Sequence, residues 1–99
     1  MSSYTIEWTE NAKVDLSFFT AFERKIIVTR LKEQLLYEPL KETKNRKKLR
    51  DNPIASYELR IGRYRVFYDV VGDTITINIV SVGKKEHNVL YIRDKEVKI

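Results

Sequence analysis

The chain has 99 residues, of which 42% are hydrophobic and 33% charged, with one His, no Cys and a formal net charge of +5. This describes a folded chain with one modest core, expected as a single domain over 1–99. It excludes disulfides, thiol catalysis and Cys- or His-based metal clusters, and no apolar run approaches the roughly 20 residues of a membrane span. The opening MSSYTIEW lacks the basic and apolar regions of a signal peptide, so a cytoplasmic location is expected. The charge is uneven. Residues 1–40 hold five Lys/Arg and six Asp/Glu, a net −1, whereas 41–99 hold fourteen and eight, a net +6. A basic second half points to a polyanionic partner, either nucleic acid or an acidic protein.

Tyr4 to Trp8 alternates and precedes a helix start, which predicts a short strand. Thr9 is placed to cap a helix over 10–19, with Ala12, Leu16 and Phe19 on one face. Thr20-Ala-Phe-Glu23 matches the capping box S/T-x-x-E and opens a second helix carrying Ile27, Leu31 and Leu35 on one stripe, which Pro39 ends. The two helices are nearly contiguous and predict a helical hairpin. Lys41 to Arg50, KETKNRKKLR, holds six basic residues and one acid, the densest charge in the chain. It is expected in or beside the loop that leads to the sheet, and Asn52-Pro53 is a turn signal.

From Ser56 to Tyr91 the chain alternates apolar and polar residues, broken at Gly62-Arg63 and Gly72-Asp73. This predicts three antiparallel strands, at about 55–61, 64–71 and 74–82, joined by tight hairpins. One face collects Tyr57, Leu59, Val66, Tyr68, Val70, Ile75, Ile77 and Ile79, a core to carry the helices. The other collects Glu58, Arg60, Arg65, Phe67, Asp69, Thr76, Asn78 and Val80 and is expected to be open. A loop at Gly62-Arg63 sets Arg60 opposite Arg65. Like charges directly opposed destabilise a sheet, so the pair suggests a bound anion, and phosphate fits the guanidinium fork best. Gly83-Lys84-Lys85 is expected to complete a cationic end with Arg60 and Arg65. In the tail, Val89, Tyr91 and Val97 are apolar enough to pack, while the last residues fray. The fold class is α+β in the order β-α-α-β-β-β, an antiparallel sheet of three to four strands with a helical hairpin on one face.

Tyr57-Glu-Leu-Arg60, Tyr64-Arg-Val-Phe-Tyr68, Ile79-Val-Ser-Val-Gly-Lys-Lys-Glu86 and Tyr91, with Lys48-Leu-Arg50 upstream, resemble the RelE branch of the RelE/ParE toxin superfamily. The match is specific from about residue 46 to residue 91 and architectural before that. The resemblance implies the toxin of a type II toxin–antitoxin pair. Such toxins enter the ribosomal A site and cut mRNA with the 2′-hydroxyl as nucleophile, without metal or cofactor. It implies a cognate RelB-like antitoxin, the ribosome and mRNA as partners, and no membrane. Its cationic and tyrosine residues map onto Arg60, Arg65, Lys85 and Tyr91, with Lys48 and Arg50 in the basic segment that helps hold RNA. One departure stands out: Glu58 occupies a place where the family often has a second basic residue.

Cleavage by the 2′-hydroxyl needs a base for its proton, cations for the phosphate and an acid for the leaving 5′-oxygen. Arg60 and Arg65 suit the phosphate, or are two solvated cations. Lys85 is a clamp or proton donor, or an ordinary lysine at a strand end. Tyr91 stacks or shuttles a proton, or packs in the core. Glu58 is a base, or the ion-pair partner of a neighbouring Arg. Arg63 and Lys84 join Lys47, Lys48 and Arg50 as candidates for RNA contact, against a solvated basic surface. His87 reads as a surface residue in a polar turn. Two other functions fit the same fold: ParE-like inhibition of DNA gyrase, and non-catalytic binding of RNA or protein.

Overall fold

The computed structural model describes residues 5–35, 45–52, 54–71 and 76–98. Along the chain run β1 (Thr5–Trp8), α1 (Glu10–Ser17), α2 (Ala21–Leu35), β2 (Arg46–Lys48), β3 (Tyr57–Ile61), β4 (Tyr64–Val71), β5 (Thr76–Glu86), β6 (Val89–Ile92) and β7 (Lys95–Val97). Tyr4, Pro39, Lys41 to Lys44, Pro53, the Gly72-Asp73 turn, Thr74, Ile75 and Ile99 lie outside the described residues.

Local chemistry starts both helices as expected. Thr9 is extended and its hydroxyl accepts from the Ala12 amide at 3.0 Å, capping α1. Thr20 and Glu23 bond reciprocally, Glu23 N to Thr20 Oγ1 at 3.1 Å and Thr20 N to Glu23 Oε1 at 3.0 Å, completing the capping box of α2. No described helix is long and apolar enough to cross a membrane.

The sheet runs β2-β3-β4-β5-β6-β7, antiparallel throughout, with β1 parallel to β5. Seven strands among the described residues exceed the three to four expected, for two reasons. Part of the basic run pairs with β3 as an edge strand, Lys47 opposite Glu58, instead of remaining a loop. The tail folds into two further hairpins, whose turns at His87-Asn88 and Arg93-Asp94 hold all four residues at positive φ, between 52° and 67°. That is the type I′ conformation, which suits the twist of paired strands. Neither turn contains the Gly that announces it in a sequence.

Leu59, Ile61, Val66, Tyr68, Ile77, Ile79 and Val82 form the buried core with Ala12, Ile27, Leu31 and Leu35, and Tyr57, Val70, Leu16 and Phe19 pack around it. Its placement beneath the helices follows the predicted face. A β-bulge then changes the phase. Phe67 pairs with Ser81 but Tyr68 with Ile79, so Val80 is the extra residue. Before the bulge odd-numbered residues of β5 face the core; after it the even-numbered Val82 does, opposite Val66. Segment α1 secures the bulge. Thr9 N donates to Ile79 O at 3.0 Å and Thr9 Oγ1 to Val80 O at 3.2 Å. The buried Asp15 accepts from Ser81 Oγ at 2.7 Å and Val82 N at 3.1 Å. Backbone groups released from the ladder are thereby satisfied.

Candidate active site

The phase change decides which lysine meets the arginines. Arg65 pairs with Arg60 on one side and Gly83 on the other. Lys85, two residues beyond Gly83, therefore shares their face. Lys84 pairs with Tyr64 and falls on the helix side, where its Nζ lies 3.4 Å from Glu86. The expected cationic end thus keeps Arg60, Arg65 and Lys85 but not Lys84.

Arg63 also turns toward the helices. It bridges Glu23 at 3.1 Å and Glu86 at 3.7 Å, and its guanidinium lies over the Tyr64 ring, 5.6 Å from the centroid. Glu23 accepts from the Tyr64 hydroxyl as well, at 3.0 Å. The Thr20 amide, then Tyr64 and Arg63, hold its carboxyl down at about 2 against the opposing effect of burial. Tyr91 pairs with Lys84 and Glu96, one step out of phase with the Lys85–Leu90 pair. The structure therefore does not bring Arg63, Lys84 or Tyr91 together with Arg65. His87 is exposed in its turn.

The face expected to be open is a cleft. Phe67 is fully buried, and Glu58, Arg65 and Ser81 are 4%, 7% and 8% exposed. Beside Arg65, β6 approaches this face closely. A Cβ on Gly83 would lie 2.6 Å from the Tyr91 carbonyl oxygen and 2.9 Å from Ile92 Cγ1, so only glycine lets the strand pass. A groove of about 600 Å³ remains. One wall is residues 47–52, with Lys47, Lys48 and Arg50; the other is the C-terminal hairpin, with Leu90, Glu96 and Lys98; Glu58 and Lys85 open into it. The hairpin wall went unrecognised in the sequence, where only the apolar spacing of Val89, Tyr91 and Val97 marked it.

Arg65 is held in place. Its Nη1 donates to Gly62 O at 2.8 Å and Tyr64 O at 2.9 Å, while its Nε has no hydrogen-bond partner among the described residues. Burial, then the charge of Arg60, lowers the Arg65 pKa, with Glu58 opposing both. A guanidinium so placed remains charged and keeps one donor free among the described residues. Arg60 is exposed beside it. Glu58 acts on the neighbouring Arg65 through its charge, without a direct salt bridge between the two.

The model of the ParE toxin of the type II toxin–antitoxin system parDE matches residues 6–89. No curated protein matches the sequence. Among solved structures, the chain resembles the RelBE2 toxin–antitoxin complex from Mycobacterium tuberculosis at 26% identity and a TM-score of 0.72, over 84% of this chain and 99% of that one. It also resembles the intact RelBE complex of E. coli, at 26% identity and 0.63, over 85% and 99%. The archaeal RelE–RelB complex from Pyrococcus horikoshii shares the fold at 22% identity and 0.66, over 88% and 99%. With a family model spanning most of its length and RelE toxins as structural neighbours, the chain belongs to the RelE/ParE superfamily of type II toxin–antitoxin toxins.

Proposed function

We propose that this toxin is a ribosome-dependent mRNA endonuclease, cleaving in the A site through the RNA 2′-hydroxyl, without a metal, and so inhibiting translation. The observation that carries this reading is Arg65, a nearly buried guanidinium with an unpartnered Nε and a second arginine directly opposite. Such a pair is destabilising without an anion and suited to a phosphodiester whose charge grows in the transition state. Lys47, Lys48 and Arg50 grip the flanking backbone, and Lys85 adds a cation at the reacting phosphate. Tyr91 contributes only by rotating out of its register position, and Arg63 and Lys84 only after leaving their carboxylate partners.

A cognate RelB-like antitoxin is the protein partner. The RelE relatives occur in such complexes, and Val14, Phe18 and Phe22 leave an apolar surface on the helical hairpin, Phe22 being 75% exposed. The ParE family match supports a second reading, inhibition of DNA gyrase. A translation extract separates the two. Transcripts cut within the A-site codon support the nuclease; whole transcripts with gyrase-linked DNA breaks support the other.

A further inference from the structure

The outer edge of β5 changes partner along its length. Residues 76–79 pair with β1 and residues 84–86 with β6. Between them no described strand covers residues 80–83 on that side, and Thr9 and Asp15 close the gap. Arg93, in the β6–β7 turn, reaches the same point. Its Nε donates to Asp15 Oδ1, and its Nη2 donates to the Asn11 carbonyl oxygen at 3.1 Å and to Asn11 Oδ1 at 3.3 Å. Asp15 is buried and also accepts from Ser81 and Val82, so Arg93 is tied to a fixed point.

This tie is the far attachment of one wall of the groove. Strand β6 is laddered to β5 over three residue pairs, ending at Lys84–Tyr91, and β7 pairs with β6 alone. Past Tyr91 the ladder to β5 has stopped, and Arg93 fixes the outer end of the hairpin to α1. The turn accepts an unfavourable backbone to do so. Arg93 and Asp94 have φ of 53° and 63°, a region that Gly or Asn enters more readily than Arg. The other wall, residues 47–52, is laddered to β3 through β2. The width of the groove is therefore set by two separate anchorages, the β2–β3 ladder and the Arg93 tie.

Building on the nuclease reading, we infer that Arg93 is a positioning residue for RNA, holding the hairpin wall at the distance a single strand requires, with Asp15 as its anchor. Arg93 itself touches no substrate. It acts through Leu90 and Val97, which pair directly and offer apolar contact to a base, and through Lys98, a cation for a phosphate. RNA in the groove lies between that wall and the basic wall of Lys47, Lys48 and Arg50. When the hairpin swings away, contacts on its side are lost and those on the basic wall remain. Arg60 and Arg65 stand on β3 and β4, outside the tie, so the chemistry at phosphorus is left as it was. The loss falls on binding rather than on the bond-breaking step.

The test separates affinity from rate. Single-turnover cleavage on programmed ribosomes gives the half-saturating toxin concentration and the rate at saturation. Equilibrium binding is measured on ribosomes whose A-site codon is 2′-deoxy, which lacks the attacking hydroxyl, and on ribosomes whose mRNA ends before the A site. R93A is expected to weaken half-saturation by about 10- to 100-fold and to leave the saturated rate within about twofold. Its weaker binding should appear only where the A-site codon is present. R93K keeps a charge for Asp15 but loses the fork, and should fall between the two, at least about threefold below wild type. Leu31→Ala removes a fully buried core side chain away from the groove and, assayed below its unfolding midpoint, should bind as wild type does. R93A with wild-type affinity overturns the inference, and so does L31A weakened as much as R93A. Should R93A fail to fold, R93K decides, and equal affinity there overturns it. Wild type that binds the A-site codon but leaves transcripts whole sinks the nuclease reading alone, and the codon-dependent difference in R93A still judges the wall.

Discussion

The two faces of the sheet treat charge in opposite ways. Beneath the helices, Arg63, Lys84, Glu23 and Glu86 form a closed set of ion pairs, and the buried Asp15 accepts from Ser81, Val82 and Arg93. In the cleft, Arg65 faces Arg60 with Glu58 acting on it only through its charge, and among the described residues its Nε donor is unused. Satisfied polar groups fix one conformation, whereas unsatisfied ones hold free energy that a ligand can release. The helix side builds the fold; the cleft leaves polar groups unsatisfied, as the proposed phosphate site requires.

Substitutions that disturb close packing or satisfied bonds should therefore cost stability, in a graded order. Leu59→Ala removes a fully buried core side chain and is expected to lose about 2–5 kcal/mol by denaturant unfolding. Gly83→Ala forces a methyl against the β6 backbone and should lose about 1–3 kcal/mol. Because Gly83 faces the cleft, this variant also shows whether β6 must approach closely for activity. Arg93→Ala strips the ion pair from Asp15, which keeps its bonds to Ser81 and Val82; a loss of about 2 kcal/mol is expected, below the usual range for a broken buried pair. Faster amide exchange confined to β6 and β7 would show that this contact secures the groove wall.

Glu23→Ala is the mildest, at about 1 kcal/mol for the lost cap. Its signature is the pH dependence. The Glu23 carboxyl falls from 4.5 to about 2 on folding, so its contribution is complete above pH 4.5 and is lost as pH drops toward 2. Unfolding curves of wild type and variant should converge over that interval.

What could be read in the sequence was what short segments decide for themselves. Thr9, the Thr20–Glu23 box and the Gly62-Arg63 turn set their own geometry, and the turn alone places Arg60 against Arg65. The bulge could not be read. Residues 76–82 look like an unbroken strand, and Val80 is displaced by contacts from Thr9 and Asp15, far away in the chain. Lys85 thus lies on the face of the arginines for a reason the pattern does not contain, and Lys84 was placed on the wrong face by the same omission. The tail hairpins were hidden because His-Asn and Arg-Asp turns carry no glycine, and with them the second wall of the groove.

The division of labour between the faces is tested most directly by Arg65→Ala, assayed together for toxicity on induction and for thermal unfolding. The substitution loses two bonds to backbone carbonyls but relieves burial of a charge and its repulsion with Arg60, so the fold should persist with little change in midpoint. Toxicity should vanish, consistent with a loss of about 10²–10³ in cleavage rate. A folded Arg65→Ala protein that remains fully toxic would contradict the account.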